Sequence, residues 1–97
     1  MATSIVNGSS IRVAVIQASM TAPVGASAQN VSLSDFTSAV PASATILCAT
    51  PIASQSPAYV AVNGAYNSAT RSVEVGSYNH YSQELSGTVK ILVLYTA

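Results

Sequence analysis

The segment that closes the chain, Gly87-Thr88-Val89-Lys90-Ile91-Leu92-Val93-Leu94-Tyr95-Thr96, constrains the fold more than any other feature. Successive side chains of an extended strand point to opposite faces. Val89, Ile91, Val93 and Tyr95 then share one face and Lys90, Leu92 and Leu94 the other, so that from Ile91 to Tyr95 every residue is apolar. A strand with one face in water would alternate apolar with polar. Both faces of this one need cover. In a domain this small an opposing sheet covers one face, which leaves Leu92 and Leu94 under a loop or against another subunit.

The same period-2 reading predicts further strands upstream. Ile11, Val13 and Val15 alternate with Arg12 and Ala14 behind the turn-like Asn7-Gly8-Ser9-Ser10, which predicts a strand from Ser10 to Ala18 with Val13 and Val15 in the core. Thr21 to Ser27 holds Pro23, Gly25 and small residues and reads as a loop. Val31 and Leu33 alternate with Asn30, Ser32 and Ser34 as a short second strand. Ser34 to Val40 has room for one helical turn, capped by Ser34 or Asp35 and stopped by Pro41. Thr45 to Thr50 is apolar on both faces, Leu47 and Ala49 on one and Ile46 and Cys48 on the other. That predicts a central, doubly buried strand ended by Pro51.

A hairpin is the best-defined unit. Tyr59 to Tyr66 meets Arg71 to Tyr78 across Asn67-Ser68-Ala69-Thr70, and pairing Tyr66 with Arg71 sets Val62 opposite Val75 and Gly64 opposite Val73. A two-residue turn at Asn63-Gly64 is the stronger local signal, but it sets Val60 opposite Asn67 and wastes the alternation. Strands, turn signals, β-branched enrichment and the lack of a helical period predict an all-β chain. The expected architecture is an antiparallel β-sandwich or Greek-key barrel of about six to eight short strands. One domain over residues 1–97 is expected, with 1–9 as an extended arm. Its expected core is Val13, Val15, Leu47, Val62, Val75, Val89 and Ile91.

Charge narrows the function. Charged residues make up 6% of the chain, against about 25% in ordinary soluble domains. They are Arg12, Arg71 and Lys90 balanced by Asp35, Glu74 and Glu84. Ser, Thr, Asn, Gln and Ala must therefore make most of the surface, which suits a protein covered in an assembly or exposed on an extracellular particle. With zero net charge and isolated cations, no run of phosphates or anionic leaflet is matched, so neither nucleic-acid nor membrane binding is expected. No basic leader precedes the first apolar stretch, which reads as neither signal peptide nor membrane span. Cys48, the only cysteine, has no partner for an intrachain disulfide and is expected as a small buried hydrophobe.

Catalysis finds little to work with. His80 with Cys48 and Asp35 supplies a nucleophile, base and orienter in kind, but no motif surrounds the cysteine. Glu74 with Glu84 is the only plausible carboxylate pair, and Glu74 falls on the polar face of its strand, where a solvated glutamate is the common outcome. His80 has no second ligand at metal spacing, and the five glycines are too dispersed for a phosphate loop. The expectation is no enzyme, no metal and no cofactor. Tyr78, Asn79, His80 and Tyr81 are the candidate partner-binding residues, since aromatic faces with amide donors suit sugars and protein partners. Leu92 and Leu94 are the candidate oligomer interface.

The pattern as a whole resembles small β-sandwich virion proteins of tailed bacteriophages: head-decoration or cement proteins, head fibres and tail-fibre tips. Four features carry the likeness, which spans Ser10 to Ala97. They are the Ser/Thr/Ala-rich first strand, the Leu33-Ser34-Asp35-Phe36 turn, the run Ala44-Thr45-Ile46-Leu47-Cys48-Ala49-Thr50-Pro51 and the closing Gly87 to Tyr95. The resemblance implies a structural protein made in the host cytoplasm and located in the virion. It further implies a homotrimer attached to the major capsid protein or to fibre and tail proteins, with no active residues. Met1 at the start favours a stand-alone decoration protein over a fibre tip. The alternative is a carbohydrate-binding or host-recognition tip that uses Tyr78 to Tyr81 on a glycan.

Overall fold

In the computed structural model, which describes residues 10–55 and 61–96, the alternating segments form six strands. These are β1 (Arg12–Ala22), β2 (Gly25–Ser32), β3 (Thr45–Gln55), β4 (Ala61–Asn67), β5 (Ser72–Asn79) and β6 (Leu85–Thr96). They pair antiparallel into two three-stranded sheets, β1-β6-β3 and β2-β5-β4. The fold is the all-β sandwich, with two sheets rather than a closed barrel. The only helical element described is a 3₁₀ turn at Leu33–Asp35.

The strand with two apolar faces takes the centre of its sheet. β6 lies between β1 and β3 and turns Val89, Ile91, Val93 and Tyr95 into the core. β5 is its counterpart in the second sheet, with Val73 and Val75 buried. Ile16, Ala18, Met20 and Ala22 of β1, Ala49 of β3 and Val31 of β2 fill the layer between them, and Leu33 and Val40 of the β2–β3 connection complete it. Each fully buried Val or Ile contributes roughly 1.5–3 kcal/mol by leaving water.

That connection is fastened by side chains. Arg71 holds a positive φ of 51° at the end of the β4–β5 turn, which aims its guanidinium at the 41–44 turn. There it donates to the carbonyls of Ala44 and Pro41 at 2.9 and 2.8 Å. The Tyr95 hydroxyl donates to the Ala39 carbonyl from the other side. Along the β3–β4 flank the layers nearly touch. A Cβ on Gly64 would strike the backbone carbonyl of Glu74 and come within 2.9 Å of the Pro51 ring.

Several expectations need correction. β1 does not end at Ala18 and Thr21–Ser27 is not a loop: β1 runs to Ala22, and β2 starts at Gly25 after a corner of only Pro23 and Val24. Gln17-Ala18-Ser19-Met20-Thr21-Ala22 already alternates polar with apolar, but its small residues mask the period. The longer even-numbered set, Ala14, Ile16, Ala18, Met20 and Ala22, wins the inner face, so Val13 and Val15 lie outside the core with 61% and 53% of their surface exposed. Thr45–Thr50 belongs to an edge strand, and it continues through Pro51 because an edge tolerates a missing N–H. Register shifts at Ile46/Cys48 and Pro51/Ala53 leave Leu47 and Ile52 unpaired and exposed. Cys48 is exposed, not buried.

The hairpin exists with a different register. Tyr66 pairs with Val73 rather than Arg71, and Gly64 with Val75. Asn67 Oδ1 accepts from the Ala69 N–H at 2.9 Å and helps to build a longer turn. The slip is of two residues, so every side chain keeps its face. Val62 pairs with Ser77, but its expected burial, like the places of Tyr59 and the 1–9 arm, lies outside what is described.

Candidate interaction surface

The four residues Tyr78 to Tyr81 do not form one loop. Tyr78 and Asn79 end β5, and the chain leaves the sheet at His80. The Tyr78 and His80 rings meet at 4.6 Å with a 47° tilt, and Tyr78 and Tyr81 are exposed. Asn79 is different, with 1% of its surface in water. Its Nδ2 donates to the carbonyls of Ala22 at 2.8 Å and Gln83 at 2.9 Å, and its Oδ1 accepts from the Tyr81 N–H at 2.8 Å. Both amide hydrogens and the carbonyl are engaged within the fold, so Asn79 braces the loop that carries the aromatic groups and presents nothing outward itself.

Leu92 and Leu94 share the outer face of the β1-β6-β3 sheet. The register sets Val13 beside Leu94 with Cys48 on its other side, and Val15 beside Leu92 with Thr50 beyond. Leu92 and Leu94 are half-buried by these neighbours, while Val13, Val15 and Cys48 are exposed. The next rows turn polar: Gln17 beside Lys90, Ser19 beside Thr88 and Thr21 beside Ser86. One half of the face is therefore an apolar patch and the other a hydroxyl- and amide-rich surface. Sequence reasoning found Leu92 and Leu94 but placed Val13 and Val15 in the core. The signal that would have found the pair is the change of apolar parity inside β1, odd from Ile11 to Val15 and even from Ile16 onward.

Among the described residues the outer face of the second sheet presents Ala26, Ala28, Asn30, Glu74, Gly76 and Tyr78, with Tyr78 its one exposed large hydrophobic and a shallow depression of about 500 Å³ lined by Asn30, Ala65, Tyr66, Asn67, Ser68 and Glu74. Among the described residues no three of His, Cys, Asp and Glu gather into a metal-binding group, and no helix is long and apolar enough to cross a membrane. Asp35 sits in the 3₁₀ turn, Cys48 on β3 and His80 beyond β5, so each proposed catalytic group belongs to a different element. No family model, curated protein or solved structure matches the chain.

Proposed function

We propose that this chain is a structural virion protein of a tailed bacteriophage, a decoration or cement protein that works in association with other protein subunits. The observation that carries the reading is the apolar half-face of Val13, Val15, Leu92 and Leu94 on a chain with almost no charge. A free monomer that shows such a patch on a neutral surface is prone to aggregate, and burial against a neighbouring protein relieves it. The major capsid protein, or a fibre or tail protein, is the partner implied. The test is to induce particles from the encoding genome, band them by density and identify their proteins by mass spectrometry. The chain is expected in the particle band, and Leu92→Lys is expected to fold yet be lost from it. Absence of the wild-type chain from particles would defeat the reading.

A second reading is favoured by the exposed Tyr78 and His80, whose rings meet at a tilt, with the exposed Tyr81 next in the chain: a glycan-recognition tip. A glycan array with Tyr81→Ala as control separates it. No binding, or binding indifferent to that change, removes it.

A further inference from the structure

A strand at the edge of a sheet holds alternate N–H and C=O groups outward, without a neighbour. Among the described strands β1 lies at the edge of its sheet, and Gln29 shows which of its groups point out. The Gln29 Oε1 accepts from the Thr21 N–H at 2.9 Å and its Nε2 donates to the Ser19 carbonyl at 3.0 Å. This carboxamide supplies the acceptor and the donor that two successive outward residues of an adjoining strand would otherwise offer. The β1–β6 register runs without a shift from Arg12↔Tyr95 to Ala22↔Leu85, so the backbone groups of Val13, Val15 and Gln17 point the same way. Among the described residues no side chain does for these three what Gln29 does for Ser19 and Thr21. The opposite edge of the sheet is blunted by Pro51, by two register shifts and by the close approach to β4.

We propose that Val13 to Gln17 pairs antiparallel with the same segment of a second copy of this chain, Val15 facing Val15 on a two-fold axis and Val13 facing Gln17. The register follows from where Gln29 stops. A pairing centred on Val15 uses the open groups of both copies and ends before Ser19, whose carbonyl is already taken. Each facing pair of these outward residues exchanges two backbone hydrogen bonds. Charge does not oppose it: Arg12, the only charged residue of β1, falls opposite Ala18, and Lys90 lies one strand further in, beside Gln17. The exposed Val15 of each copy gains a β-branched cross-strand partner, and the two apolar half-faces merge across the axis into one surface. The inference goes beyond the docking role, because the pairing belongs to the free chain whatever its face docks on. It also replaces the three-fold implied by the resemblance with a two-fold.

Cross-linking tests the register. Facing residues of a bonded pair have Cα atoms about 5.5 Å apart, within disulfide range. Under copper-phenanthroline oxidation, Cys48→Ala/Val15→Cys is expected to give a covalent dimer. Cys48→Ala/Gln17→Cys is not, since Gln17 faces Val13. Sedimentation of the full wild-type chain should give twice its 9.8 kDa. Amide exchange at Val13, Val15 and Gln17 should slow by about tenfold or more with rising concentration, while Ala14 and Ile16, bonded to β6, stay unchanged. Val15→Pro removes an outward N–H and should be monomeric; if it fails to fold, the cysteine pair carries the test. A wild type that stays monomeric, a three-copy mass, or equal cross-linking at both cysteine positions overturns the proposal. The docking role is read separately by particle incorporation: a monomeric chain that still enters particles leaves that role standing.

Discussion

The Asn79 side chain joins three stretches of chain that are distant or irregular: the Ala22 carbonyl at the end of β1, the Gln83 carbonyl and the Tyr81 N–H. Truncation would leave one buried and two partly buried backbone groups without this partner. Asn79→Ala should therefore destabilise the fold by about 1–3 kcal/mol, read as a lower urea midpoint at unchanged slope. A shift worth less than about 0.5 kcal/mol would show that water replaces the amide at no cost and that the loop does not depend on it. From sequence alone Asn79 sits among aromatic residues and reads as a binding group. Nothing local says that its amide aims at a carbonyl 57 residues earlier. Arg71 was hidden in the same way, since a lone cation in a turn reads as solvated, while its two backbone acceptors belong to a turn some thirty residues away.

At the scale of the strand, what counts is whether neighbours lie on both sides and on both faces. Ile91 has β1 and β3 beside it and the second sheet above it, and is fully buried. Leu47 stands at a register shift on an edge strand with 36% of its surface exposed. Ile91→Ala should cost about 2–5 kcal/mol through lost transfer energy and the cavity left behind, while Leu47→Ala should cost less than about 1 kcal/mol because no closed cavity forms. Thermal or urea unfolding of the two variants measures the contrast, and equal effects would mean that β3 is not an edge. The sequence made β6 legible because its large apolar residues carry a clean period. It made β1 half legible, because Ala18 and Ala22 mark a core face as firmly as Val does but weigh less in a hydropathy pattern. The apolar composition of Thr45–Thr50 hid its position, since a buried central strand and an edge strand with bulges share that composition. The hairpin register slipped by two because alternation fixes which face a side chain takes but not which partner it meets.

For the whole molecule, the placement of the six charged residues decides how association responds to solution conditions. The apolar half-face carries none. Arg12 and Lys90 lie at its borders, one at the start of β1 and one in the first polar row beside Gln17, and Glu74 is on the other sheet. An interface built on Val13, Val15, Leu92 and Leu94, or on backbone pairing along β1, draws its free energy from apolar burial and neutral hydrogen bonds. Mobile ions screen neither, although at 0.1 M salt they reduce charge interactions beyond about 10 Å. Self-association, and attachment to isolated particles, should therefore change by less than about threefold in dissociation constant between 50 and 300 mM sodium chloride. A site that neutralises several phosphates or carboxylates would lose orders of magnitude over a comparable range. Sodium sulfate, which is excluded from protein surfaces and strengthens apolar burial, should tighten both. Sedimentation across the salt series reads the first and particle co-sedimentation the second. A steep loss with sodium chloride would place the contact on Arg12, Arg71 or Lys90 instead of on the outer face of the β1-β6-β3 sheet.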